Sequence, residues 1–274
     1  MSGHSEAGCA ASRHDRPSVT VDVVVFGMFG CLDAADDGED ANGTPPADRP
    51  ELRVLLIRRR NPPFQGCWAI PGGFVGMQES LDEAARRELE EETGLRAVYL
   101  EQLYTFGAPE RDPRTRVISV AYYALLPGHN HEVRAADDAR EAAWFPVTAL
   151  PPNLAFDHAH ILDVALCRLR AKADYAGIAR EFLPERFTLR QLRRIYETVL
   201  GRQLDRANFT RRMLSVGDIE ETGAIDRGGA HRPAKLYHYR RDSANHACDP
   251  VIRSSNAPPQ TDEMYEGRRR GSKM

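Results

Sequence analysis

The chain has 274 residues, 42% hydrophobic and 28% charged, enough apolar material for one large domain or two ordinary ones with a buried core. Its formal net charge of −3 says little about partners, but residues 183–241 hold 13 Lys/Arg against 7 Asp/Glu while the rest holds 24 against 33, so a basic module follows an acidic body. Five scattered cysteines (Cys9, Cys31, Cys67, Cys167, Cys248) without a CxxC pair support neither a zinc site nor a disulfide framework, and no apolar run suits a secretory signal or a membrane span.

Reduced thiols in a cytoplasm are the expectation. Residues 1–18 and 242–274 are polar and read as disordered tails, the second ending in GRRRGSKM. Val19–Phe29 (VTVDVVVFGMF) is β-branched and aromatic, the pattern of a strand buried on both faces. The acidic stretch 32–51 is expected to be a long exposed loop, and Leu52–Arg58 the next strand. NPPFQGCWAIPGGFV is a loop ending in a strand at its double glycine. A helix follows from Leu81. Ala97–Phe106, Val117–Leu126 and Glu141–Val147 read as strands, and Asn153–Ala173 as a helix. Further on, Thr188 caps a helix whose apolar face is Leu189, Leu192, Ile195, Tyr196 and Val199, ended by Gly201. A second helix covers about Asp205–Val216, and short alternating strands around a Gly-rich turn complete the pattern. Two short helices, a tight turn and a hairpin suggest a helix-turn-helix with a wing.

The helix at Leu81 carries the densest chemistry. Ser80 and Glu83 form a capping-box pair and Gly94 supplies the stop. Glu88, Glu91 and Glu92 stand at i, i+3 and i+4, which places three carboxylates on one face. Hard oxygen donors point to Mg²⁺ or Mn²⁺ rather than zinc. Arg87 can pair with Glu79 and hold the preceding loop, and Gly72–Gly73 permit a close backbone approach. For a bare ExxEE, a solvated acidic helix face is the alternative.

The wider spacing is Gly73, five residues, Glu79, seven residues, then Arg87-Glu88-Leu89-Glu90-Glu91-Glu92-Thr93-Gly94-Leu95. It matches the Nudix box at every specified position, and residues 19–165 resemble Nudix hydrolases. The resemblance implies an α/β/α sandwich and hydrolysis of a nucleoside diphosphate linked to another moiety, assisted by Mg²⁺ or Mn²⁺. It implies Glu88, Glu91 and Glu92 as metal ligands and catalytic groups, with Arg87 beside them, and Gly73, Glu79 and Gly94 as structural positions. It also implies a general base or extra ligand in a later loop. Asp137, Asp138, Glu141, Glu110 and Asp112 are candidates, or plain surface acids. FGAPERDPRTRVISVAYYALL resembles the ADP-ribose branch of the family. There Arg111, Arg114 and Arg116, together with Arg58 and Arg59, are candidate ligands for a pyrophosphate or terminal phosphate. Tyr104 or Phe106 is a candidate adenine stack, or a core aromatic.

The basic end offers a second chemistry. Arg206, Asn208, Arg211 and Arg212 on the second helix, with Arg232 and Lys235 in the wing, are candidate contacts to double-stranded DNA, while Arg193, Arg194 and Arg202 add charge nearby. A basic helical dimerisation tail is the alternative on composition alone. LPERFTLRQLRRIYETVLGR, DRANFTRRML and RPAKLYHY, with TVDVVVF, RRNPPFQGCWAIPGGFV and LAFDHAHI earlier, resemble the Nudix-related transcriptional regulators, the NrtR family. That implies a Nudix domain at 19–170, a winged helix-turn-helix at 180–241 and a homodimer on a palindromic operator. It also implies repression of NAD-metabolism genes, relieved by ADP-ribose or a related nucleotide. Many members have eroded Nudix boxes, whereas this one is intact, so retained ADP-ribose pyrophosphatase activity is expected beside regulation. A dedicated hydrolase without regulatory DNA binding is the alternative.

Overall fold

A computed structural model describes residues 16–32, 49–97, 99–126, 139–175, 178–226 and 233–240. The expected tails lie mostly outside these residues, as does 33–48 of the acidic stretch. Strand β1 (Ser18–Phe29) is the centre of a seven-stranded mixed sheet of order β3-β2-β1-β6-β5. Its partners are β2 (Glu51–Arg59), antiparallel, and β6 (Val117–Leu126), parallel. β3 (Trp68–Ala69) and β7 (Ala139–Pro146) pair with β2, β4 (Gly72–Phe74) with β1, and β5 (Tyr99–Phe106) with β6.

Alternation along β1 decides what covers each face. Val21, Val23 and Val25 point one way and pack with Ala84, Ala85 and Leu89 of helix α1 (Leu81–Thr93). Val24, Phe26 and Met28 point the other way and share a cluster with Ile161, Leu162, Ala165 and Leu169 of helix α2 (His158–Tyr175). A central strand covered on both faces reads as a continuous apolar run, as this one does. The sandwich is therefore α/β/α. Helix α2 begins at His158 rather than near Asn153, because Leu154 bridges to Trp68 and the Ala155 N–H bonds to the Trp68 carbonyl.

A 3-10 turn (Ile178–Phe182) leads into β8 (Phe187–Thr188), α3 (Leu189–Leu200) and α4 (Arg206–Val216). The hairpin of β9 (Ile219–Asp226) and β10 (Ala234–Tyr239) completes a small sheet of order β8-β10-β9. Two helices and a hairpin in this order form a winged helix. Thr188 closes a capping box with Gln191, and Gly201 ends α3 at φ 68°. Leu192, Ile195, Val199, Phe209 and Tyr237 of this module are buried in the same cluster as Val24 and Ile161. The two parts therefore share one core. Polar links cross as well: Arg194 donates to the Leu32 carbonyl (3.2 Å) and Arg170 of α2 to the Val199 carbonyl (3.2 Å).

Candidate functional site

A cavity of about 470 Å³ opens where β4, the N-terminus of α2 and the loop after β5 meet. Helix α1 supplies its acidic wall. Ser80 accepts from the Glu83 N–H while the Glu83 carboxylate accepts from the Ser80 N–H, so the helix starts at a fixed residue. Gly94 ends it at φ 72°, and the Tyr122 hydroxyl ties Asp82 to the sheet (2.6 Å). This fixes the rotation that turns Glu88 and Glu92 into the cavity.

Glu92 Oε2 accepts from the Gly72 N–H at 2.8 Å. Burial pushes its pKa up to about 8, against the pull of that hydrogen bond and with Glu88 and Asp22 adding repulsion. Burial raises Glu88 as well, opposed by Arg87. A Cβ on Gly73 would stand 2.3 Å from Glu88 Oε1, so the absence of a side chain there makes room for the carboxylate. Arg87 organises the other side of the helix. It grips Glu79 with two bonds (2.9 and 2.7 Å), and its Nη1 reaches Glu88 (2.8 Å) and Glu91 (3.0 Å). The bonds to Glu79 hold its guanidinium well above the usual range.

Among the described residues, no three His, Cys, Asp or Glu side chains converge tightly enough to hold a metal ion. Glu91 is turned onto Arg87 instead, because three like charges on one face repel and Arg87 bridges two of them. The donor chemistry still fits a hard cation. Glu88 and Glu92 face the same cavity, Glu91 stands on the same helix one turn from Glu88, and a cation beside Glu92 offsets its burial.

The opposite wall is cationic, and it sorts the candidate arginines. Arg59 and Arg114 line the cavity. Desolvation and then repulsion from Arg114 lower the Arg59 pKa. Arg114 makes a two-bond pair with Asp112 (3.0 and 2.7 Å). Arg111 also lines the cavity, with its Nε and Nη2 bonded to Asp157 (3.0 and 2.7 Å) and Nη2 also 3.5 Å from Asp22. Arg58 and Arg116 do not line the cavity. Strand alternation turns Arg58 to Glu141 (3.6 Å) and the Gly66 carbonyl, and Arg116 donates to the Ala108 and Val117 carbonyls.

Tyr104 and Phe106 are likewise away from the cavity, the first 62% exposed and the second buried against the core. Of the candidate bases, Asp112 lines the cavity but is held by Arg114, Glu141 faces Arg58, and Glu110 is exposed. Asp137 and Asp138 lie outside the described residues.

Sequence reasoning missed the cavity floor. His158 Nδ1 accepts from the Ile70 N–H (2.9 Å), which leaves the proton on Nε2, 3.6 Å from Asp22. Complete burial pulls the His158 pKa down. Asp22 also accepts from the Ser119 hydroxyl. Asp22 was visible as the lone charge in VTVDVVVF. Phe74 and Phe156, which line the mouth, gave no such signal.

The second candidate surface is α4. Asp205 caps it by accepting from the Asn208 N–H (2.8 Å), and Phe209 is its buried anchor. Arg206, Asn208, Arg211 and Arg212 are all exposed. In the wing, Lys235 is exposed and pairs with Glu221 (2.9 Å), while Arg232 lies outside the described residues. Arg193 and Arg194 do not join this surface. Arg193 pairs with Glu197 (2.8 Å) and Arg194 is buried.

Residues 44–165 match the NUDIX domain family, and residues 179–239 match the NrtR DNA-binding winged helix domain. The ADPR responsive transcriptional repressor NtrR of Acinetobacter baylyi is 35% identical over 231 residues, covering 83% of this chain and 84% of that protein. The ADP-ribose pyrophosphatase of Methanocaldococcus jannaschii is 46% identical over 110 residues, 40% of this chain and 63% of that one. Shewanella oneidensis NrtR, solved with a 27mer DNA, superposes with a TM-score of 0.62 at 33% identity, covering 83% of this chain and 95% of that chain. No described helix is long and apolar enough to cross a membrane. With a cavity lined by carboxylates and guanidiniums in the first module, an exposed basic helix in the second and likeness along most of its length, the chain belongs to the NrtR family of Nudix-related transcriptional regulators.

Proposed function

We propose that the protein is a cytoplasmic, homodimeric repressor of NAD-metabolism genes that releases DNA on binding ADP-ribose or a related nucleotide. We further propose that it retains Mg²⁺-dependent ADP-ribose pyrophosphatase activity. The observation that carries this reading is the pairing, on one continuous core, of a carboxylate- and guanidinium-lined cavity with the bare basic face of α4. The Acinetobacter repressor and the Methanocaldococcus pyrophosphatase each support one half of it.

In this reading Glu88, Glu91 and Glu92 hold a divalent cation, Mg²⁺ or Mn²⁺. When bound, such an ion neutralises phosphate oxygens and makes its water more acidic. Arg59 and Arg114 face the carboxylates and take the anionic ligand. Arg87 and Glu79 fix the helix, so the carboxylates stay aimed during binding. Arg206, Asn208, Arg211 and Arg212 enter the DNA groove, and two such helices read the two halves of a palindrome.

The test is a gel shift on promoter DNA with and without ADP-ribose, run beside an assay for AMP release. Retardation is expected to be lost when ADP-ribose is added. Release is expected to need Mg²⁺ and to vanish in Glu92→Gln. A protein with no salt-sensitive preference for any duplex is not this repressor. Full turnover in Glu92→Gln, or none in the wild type, removes the enzymatic half while leaving the regulatory half standing.

A further inference from the structure

Two described residues other than glycine have positive φ, Phe64 at 57° and Phe156 at 51°. They touch, with ring centroids 4.8 Å apart in an edge-to-face pair. A bulky side chain in this backbone region is strained and persists only where its surroundings hold it. Phe156 lines the cavity, and the guanidiniums of Arg59 and Arg114 lie 4.9 and 6.0 Å from its ring centroid. Arg114 is also 5.8 Å from the ring of Phe74.

The two guanidiniums repel, and the arrangement shows what opposes that. The face of an aromatic ring attracts cations, so Phe156 draws both toward one place. Asp112 engages Nε and Nη2 of Arg114, leaving Nη1. The Pro63 carbonyl accepts from Arg59 Nε (2.9 Å). Among the described residues Arg59 forms no ion pair, so both its terminal nitrogens remain available to an anion.

We propose that Phe156 is a positioning residue: its ring stages Arg59 and Arg114 as a paired clamp that distinguishes a diphosphate from a monophosphate. The proposal rests on the nucleotide reading of the cavity and sharpens its specificity. A diphosphate spans both guanidiniums, whereas a monophosphate engages one. Phe64 props the Phe156 ring at the mouth.

Full-length protein is titrated calorimetrically with ADP and with AMP in the presence of Mg²⁺. Wild type is expected to prefer ADP by about tenfold or more, the scale of one added charge-assisted contact. Phe156→Leu keeps an apolar side chain but removes the ring face, and is expected to bring the ratio of the two affinities close to one. Phe156→Tyr is expected to keep the preference. Arg59→Lys keeps the charge and loses the planar stack, and it gives a second reading should Phe156→Leu fold poorly. Its preference is also expected to collapse. Equal weakening of both nucleotides in Phe156→Leu, or an unchanged ratio in Arg59→Lys, overturns the proposal and leaves Phe156 a packing residue. A wild type that binds ADP and AMP equally overturns it too, with the nucleotide reading intact. Failure of the wild type to bind either nucleotide, or ADP-ribose, overturns the nucleotide reading and the clamp together.

Discussion

Glu79 shows how one carboxylate can matter without touching a ligand. Hydrogen bonds from Arg87, and then from the Gly76 N–H, hold its pKa down to about 2 from an ordinary 4.5. A depressed carboxylate contributes stability that is present above its unfolded pKa and lost as pH falls through the folded one. Glu79→Gln is therefore expected to be less stable than wild type at pH 7, by a small amount because solvent screens the pair. In urea melts the gap is expected to close between about pH 4.5 and 2. A gap that stays constant across that window would show that the ion pair is not its source. The residues of the helical box were legible in the sequence because their spacing maps directly onto one helix face. The arginines were legible only as a set. Which of Arg58, Arg59, Arg111, Arg114 and Arg116 line the cavity, and with what partners, depends on strand alternation and on residues far along the chain, such as Asp157 for Arg111. Phe156 was invisible because nothing in its neighbours announces a positive φ.

Helices α1 and α4 illustrate opposite uses of similar local rules. Both are capped at the N-terminus by a side-chain oxygen and stopped by a left-handed glycine. These signals act over four residues, so the ends of both helices could be read from the sequence. Helix α2 could not be read so well: its start is set by a bridge between Leu154 and Trp68, far away in the chain. The caps aim α1 inward, where Ala84, Ala85 and Leu89 are buried, and leave α4 almost bare around its Phe209 anchor. An exposed basic helix presents its cations to phosphates. Arg211→Ala is expected to weaken operator binding and to flatten the slope of log affinity against log salt by about 1, with nucleotide affinity unchanged. Fluorescence anisotropy at several salt concentrations measures this. An unchanged slope would place Arg211 away from the phosphates.

The molecule as a whole is less modular than its sequence. The composition change after Tyr175 suggested two domains, yet one cluster runs from Val24 through Ile161 to Leu192, Phe209 and Tyr237. Helix α2, about 27 Å long at 1.5 Å per residue, spans the distance from the cavity floor to the end of α3. Scanning calorimetry is therefore expected to give a single cooperative transition for the full chain. Two well-separated peaks would show that the shared cluster does not couple the parts. The shared core also constrains descent. A lineage that deleted the last third of the gene would lose Leu192, Ile195, Val199 and their neighbours from the cluster that also holds Ile161 and Leu169. Substitutions on the exposed face of α4 offer a route that leaves this cluster whole, with the winged helix kept as scaffolding after its reading role had lapsed.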